Sequence, residues 1–354
     1  MKKYAILAAI LVATSMIGIT LSRAQIQTKR DNASADVNKK QAPAQAPADV
    51  NEKIQELTSA DPSKRASAAC ALQKMGTRAE PAVPALIALL SDGTRVAPEL
   101  VCYKEYFSAD SIDPQFEGLK EPSPGEAAVQ ALVAIGKPSV EPLIGALKDS
   151  QWRTRKNAAW ALLQLPDSRA LDALLVAVKD DVWQVRAHTA MALGEQHGEG
   201  IVEALIIALH DTNAAVRWYT AMGLGLLRDP RGVEPLIAAM KDSHPRVRSY
   251  AAMSLGLIED TRAVPALIEA LKNDDGEVRA NAAMSLGLIR DTSAVPALIE
   301  ALKNNNGQVR MHAAMSLGLI RDGRAVPQLK VALKDQSAQV RKQAQFALEQ
   351  LNVN

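Results

Sequence analysis

Cys70, Cys102 and the histidines His188, His197, His210, His244 and His312 are the side chains of this sequence best suited to redox, metal or nucleophilic chemistry. Their spacing supports little of it. No two histidines stand as a His-x-x-x-His pair, none carries the flanking glutamate of a metalloprotease motif, and no glycine-rich phosphate loop occurs. The expectation is therefore no catalytic residues, no metal and no cofactor. The cysteines leave two readings open. An oxidising compartment would permit a Cys70–Cys102 disulfide, whose loop is worth about 3–4 kcal/mol in the chain-entropy model; otherwise both remain free thiols.

The elements that carry these side chains repeat. A Val-Arg pair recurs at Val185-Arg186, Val216-Arg217, Val247-Arg248, Val278-Arg279, Val309-Arg310 and Val340-Arg341, each 31 residues after the last. A fixed period of this size means stacked supersecondary units. In the copy at Val247, the residues Val247, Ala251, Leu255 and Ile258 form one helical stripe, and Pro245 suits a first helical turn. Glu259-Asp260-Thr261 is a polar turn. A second helix is expected from about Ala263 to Lys272, with Leu267, Ile268 and Leu271 as its apolar face. One such hairpin cannot bury both flanks, so neighbours must stack. Glycine recurs inside the first helix at Gly194, Gly225, Gly256, Gly287 and Gly318. It costs about 1 kcal/mol relative to alanine there, a cost that close approach of a neighbouring helix would offset.

The motif V-R-x-x-A-A-x-x-L-G-x-I-x-D, followed by A-V-P-x-L-I-x-A-L, covers most of residues 60–352. It resembles the HEAT-like repeat, in the variety first associated with phycobilisome (bilin) lyases. The resemblance implies an all-α protein, an α-solenoid or superhelix of about nine stacked hairpins. It also implies a ladder between repeats, with an acid six residues before each arginine: Asp149/Arg155, Asp180/Arg186, Asp211/Arg217, Asp242/Arg248 and Asp335/Arg341. Arg279 and Arg310 have Asn273 and Asn304 at that position, so an interruption is expected there, with Asp274 or Asp275 as a substitute in one copy. The repeated His-Glu dipeptides of the deoxyhypusine hydroxylases, a metalloenzyme class with this repeat, do not occur, and that activity is not carried over.

In such stacks one helix of each hairpin lines the concave surface. There the equivalents of Met253 (Trp160, Met191, Met222, Met284, Met315 and Phe346) would form an apolar strip, or else be covered by adjacent helices as packing. Convergence of these methionines on one metal ion is rejected, since neighbouring helices sit about 8–10 Å apart. All four tryptophans, Trp152, Trp160, Trp183 and Trp218, fall in one window. The sharpest expectation is a partner-binding patch of Trp160, His188, Met191, Trp218, Tyr219, Met222 and Tyr250, continued by Met253, Met284 and Met315. Trp152 and Trp183 are expected to fill gaps between repeats.

Residues 1–24 read as a signal peptide: Lys2 and Lys3, an apolar run from Tyr4 to Leu21, and Ser22-Arg23-Ala24 before a cut. An uncleaved anchor is the competing reading. Either places the solenoid outside the cytoplasm, in the periplasm or beyond. Residues 25–50, with QAPAQAP, read as a disordered linker, and 51–354 as the repeat array. Leu72 corresponds to Leu132, sixty residues on, so about 29 residues are inserted at about 93–124. This insert, with Tyr103, Tyr106, Phe107 and Phe116, is either a binding loop or a cover over the N-terminal end. Forty-one basic against 39 acidic residues argue against a nucleic-acid binder. The expected function is a non-enzymatic scaffold for a protein or peptide; the alternative, implied by the resemblance, is a tetrapyrrole lyase or carrier.

Overall fold

Each cassette folds for reasons visible in its own residues. Helix α12 (Pro245–Ile258) starts where His244 Nδ1 accepts the Arg246 N–H and Pro245 fills the first turn. It stops at Glu259, left-handed at φ 61°. Asp260 then caps a 3-10 turn, Thr261–Ala263, that leads into α13 (Val264–Ala270). The left-handed stop recurs at Arg228, Arg290 and Arg321, although glycine is the usual residue for it.

The computed structural model describes residues 47–97, 102, 123–273 and 275–352. The residues read as a signal peptide, most of those read as a linker and most of the insert lie outside them. The chain divides into residues 1–139 and 140–354.

The first unit holds α1 (Ala48–Glu56), α2 (Pro62–Met75), α3 (Val83–Leu89) and α4 (Pro124–Ile135). Helix α1 begins inside the stretch expected as linker. Val50 is fully buried there, because Val50, Ile54 and Leu57 make an apolar i, i+4, i+7 stripe behind Pro47. Helices α2 and α4 pack as consecutive neighbours despite the residues between them. The two ends of the insertion meet: the Gly125 N–H donates to the Asp92 carbonyl at 3.0 Å. A Cβ on Gly125 would stand 2.8 Å from the carbonyl oxygens of Asp92 and Leu90, so glycine permits the approach.

The second unit alternates short and long helices. The short ones are α5 (Val140–Ala146), α7 (Leu171–Ala177), α9 (Ile201–Ala208), α11 (Val233–Ala239), α13, α15 (Val295–Ala301) and α17 (Val326–Ala332). The long ones are α6 (Trp152–Gln164), α8 (Trp183–Leu193), α10 (Ala214–Leu227), α12, α14 (Gly276–Ile289), α16 (Gly307–Ile320) and α18 (Ala338–Gln350). Each long helix packs on the next, and each short helix on the long helix that follows it. This is the expected α-solenoid. Its core is a file of leucines (Leu162, Leu193, Leu224, Leu255, Leu286, Leu317) with the short-helix leucines Leu174, Leu205, Leu236, Leu267 and Leu298. Helix α18, the last in the described residues, leaves Lys342, Gln345 and Glu349 exposed. Among the described residues no helix is long and apolar enough to cross a membrane.

Candidate functional site

The long helices bring the aromatic residues of the expected patch into one run. Trp218 stacks on Tyr219 at 3.8 Å between ring centroids and on Tyr250 at 4.9 Å. His188 lies 5.8 Å from Tyr219, and Trp160 lies 6.4 Å from His188. Rings from α6, α8, α10 and α12 thus touch in sequence. His188 and Tyr219 stand 31 residues apart, at equivalent places on stacked helices, while Trp160 and Trp218 reach them from neighbouring positions. Trp152 stands outside the run, under the Arg153 guanidinium at 4.5 Å.

Of the two readings of the strip, open or covered by adjacent helices, the covered one holds for most of it. Met191, Met222, Met253 and Met284 are 3–6 % exposed, and Trp160, His188, Trp218 and Tyr219 are 2–7 % exposed. Long helices packed this closely let each side chain roof the next, and the row closes over itself. Only Tyr250, Met311 and Met315 remain half-open, and Phe346 is exposed on the terminal helix. Burial pushes the Tyr219 hydroxyl pKa well above its ordinary value. It also pushes His312 down to about 4, and His312 Nδ1 is buried without a hydrogen-bond partner among the described residues.

The arginine ladder exists, but with different partners. Arg217 Nε and Nη2 reach Asp242 of the next repeat at 2.7 and 2.9 Å. Its own Asp211 offers only the backbone carbonyl, at 2.9 Å to Nη1. The same bidentate pattern joins Arg155 to Asp180, Arg186 to Asp211 and Arg310 to Asp335. The pairing is therefore 25 residues forward instead of six back, because the side chain leans across the interface while the preceding loop curls under it. In the first unit Arg65 meets Asp92 likewise. Burial raises the Asp242 carboxyl pKa, yet the Arg217 hydrogen bond and the His244 N–H outweigh it and leave the net value below the ordinary range.

The expected interruption at Asn273 and Asn304 also shifts by one repeat. Arg248 faces Asn273, and its buried Nε has no acceptor among the described residues. Arg279, one repeat on, donates to the Asn273 carbonyl at 2.7 Å. Asp275 does not substitute as a ladder acid: it caps α14, accepting the Glu277 and Val278 N–H groups. Asp274 lies outside the described residues. Arg341, in the last repeat, keeps only the carbonyls of Asp335 and Gln336.

A second set of arginines escaped sequence reading, though an Asp-x-Arg signal at the same period carried it. Arg169, Arg231, Arg262 and Arg324 each clamp the aspartate two residues before. From there they reach Glu141, Glu203, the Pro230 carbonyl and the Thr292 carbonyl of the preceding repeat.

Cys70 and Cys102 are joined as a disulfide, with Cα atoms 5.5 Å apart. The bridge ties the early part of the insertion to α2. Among the described residues no group of three or more His, Cys, Asp or Glu could hold a metal ion.

Comparison with known proteins agrees with this geometry. The HEAT-repeat family description matches residues 118–194, 202–278 and 264–349. The chain belongs to the HEAT-repeat family. The PBS lyase HEAT-like repeat matches residues 64–92. Among solved structures, yeast importin-β (Kap95p) is similar at TM-score 0.61 and 16 % identity, over 85 % of this chain and 46 % of that one. The Escherichia coli protein YibA is similar at 0.54 and 18 %, over 90 % and 100 %. The CpcE–CpcF complex of phycocyanin lyase from Nostoc scores 0.42 at 24 % identity, over 60 % and 86 %. At such identities the likeness speaks for the HEAT fold alone. No curated protein matches the chain in sequence.

Proposed function

We propose that this HEAT-repeat chain is an exported, non-catalytic scaffold that holds a protein or peptide partner along its long-helix row. One observation carries the reading. The cassettes 247–273 and 278–304 differ only at Ser249/Ala280, Tyr250/Asn281, Glu259/Arg290 and Arg262/Ser293. The first two differences form an adjacent pair on the long helix, equivalent to Lys156-Asn157, Ala187-His188, Trp218-Tyr219 and Met311-His312. Ten of these twelve side chains are buried in the row, and the pair opens to solvent at Tyr250 and Met311, where recognition can vary without disturbing the core.

Half-open Tyr250 and Met311 are the side chains a partner would reach first. The test is affinity capture from the cell envelope, followed by binding of the purified partner to wild type, Tyr250→Glu and Met311→Glu. Loss of affinity in the variants, with unchanged helicity, supports the reading; equal affinity in both refutes it. A shifted absorbance on adding a linear tetrapyrrole would favour instead the lyase-like role suggested by the repeat at 64–92. Export rests on Lys2, Lys3 and the apolar run to Leu21, and cell fractionation with N-terminal sequencing tests it.

A further inference from the structure

The short helices carry a surface that the partner-binding proposal does not use. Val176 on α7 and Ile207 on α9 are 71 % and 67 % exposed. They occupy equivalent positions, 31 residues apart, on adjacent helices. The same position holds exposed Gly145 before them and exposed Ala238 after them, then Glu269, Glu300 and a 65 % exposed Val331 in the later repeats. The fold therefore accepts glutamate here, and four successive repeats avoid it.

Those same four repeats share a second feature. Four residues before this position stands an exposed acid (Glu141, Asp172, Glu203, Glu234), and seven residues after the acid an exposed lysine (Lys148, Lys179, Lys241) or, in one repeat, His210. In the next three repeats the acid is replaced by Pro265, Pro296 and Pro327. Acid and apolar position, at i and i+4, lie on one helical stripe, and the residue at i+7 follows in the turn two residues past each helix end. The surface is thus an apolar centre between a negative edge and a positive edge. Arg169 and Arg231 meet Glu141 and Glu203 on the negative edge, but these pairs are exposed on both sides and worth little.

We infer that this face binds a second copy of the chain, in a two-fold dimer whose axis runs across the short helices along the stacking direction. Such an axis lays Val176 on the partner copy's equivalent valine and Ile207 on its isoleucine. It reverses the helices, so each negative edge meets the other copy's positive edge. A two-fold along the helices would instead set acid against acid. The surface is self-complementary in one orientation, as an isologous interface must be.

Analytical ultracentrifugation of the purified protein tests this. Wild type is expected to sediment as a dimer. V176E/I207E is expected to sediment as a monomer with an unchanged circular-dichroism melt, since glutamate already stands at the equivalent positions 269 and 300. K179E should weaken the dimer by about tenfold or more, because like charges then oppose one another twice across the axis. D172K/K179E should restore it, since the two-fold axis pairs these positions with each other. A wild type that stays monomeric, a dimer that survives V176E/I207E, or a D172K/K179E protein as weak as K179E would overturn the proposal. None of these outcomes depends on the long-helix row.

Discussion

A Cβ placed on Gly256 of α12 would stand 2.6 Å from Ser285 Cβ and 2.7 Å from Ser285 Cα on α14. The hydroxyl of Ser285 is itself committed, donating to the Ala252 carbonyl at 2.8 Å. Glycine and serine therefore interlock across the interface, and the helix-interior glycine is the cost of close approach. Gly256→Ala should destabilise by about 1–3 kcal/mol, the usual cost of overpacking. Gly323→Ala, with open space around the added methyl, should change stability by less than about 0.5 kcal/mol. Chemical denaturation of both variants checks the contrast.

The Arg217–Asp242 clamp should matter more than the exposed Arg231–Glu203 pair. The first has side chains 15 % and 13 % exposed, the second 58 % and 56 %. Asp242→Asn is expected to cost about 1.5–3 kcal/mol, and Glu203→Gln less than about 1 kcal/mol. Asn273→Asp should stabilise by giving Arg248 the carboxylate its equivalents have. The two repeat interfaces that carry asparagine are also those crossed by a serine hydroxyl: Ser285 to Ala252 and Ser316 to Ala283. Double-mutant cycles on Asn273→Asp with Ser285→Ala would measure how far one bond compensates for the other.

His312 should tie stability to pH in mildly acidic solution. Burial lowers its pKa to about 4 in the folded protein, against about 6.5 unfolded. Between those values the unfolded chain binds more protons, so stability falls as pH falls from about 6.5 toward 4. The loss is at most about 3.5 kcal/mol at 1.36 kcal/mol per unit. The ladder acids act in a separate window. Asp180, Asp242 and Asp335 have lowered values, so their contribution is lost only below about pH 4. His312→Asn should flatten the melting temperature between pH 4.5 and 6.5, relative to wild type, on the order of that loss; an unchanged slope would place the effect elsewhere.

Reduction of the Cys70–Cys102 bridge should lower the stability of the first unit by about 3–4 kcal/mol, the loop-closure value for a separation of this size. Denaturation with and without reductant, alongside mass measurement of alkylated protein, checks this. Residues 140–354, whose long helices carry their own leucine core, should melt as before.

Much of this was legible at residue level. The Val247, Ala251, Leu255, Ile258 stripe gives α12 and its copies, because a period of 3.6 can bury one face only as a helix. The glycines at Gly225, Gly256 and Gly287 were readable as contact points, because nothing else offsets their helix cost. The ladder was legible in its residue types and mistaken in its partners. The pairing six residues back was implied by the family resemblance, whereas Arg217 reaches Asp242 across a stacking interface that no local pattern describes.

Exposure was the question that the sequence left open. A helical wheel shows that Met253 points away from the stripe centred on Ala251. It does not show how closely the next helix approaches, and that distance buries Met222, Met253 and Met284 alike. The self-complementary face around Val176 and Ile207 emerged only once exposure was known, since apolar residues on a short helix otherwise read as core. The one-dimensional chain determines the repeat, its helices and the residues that must interlock, because these follow from local periodicity and steric rules. Which carboxylate each arginine meets, which apolar rows are covered and which face stays open are decided by the spacing of stacked helices, a property of the assembled fold.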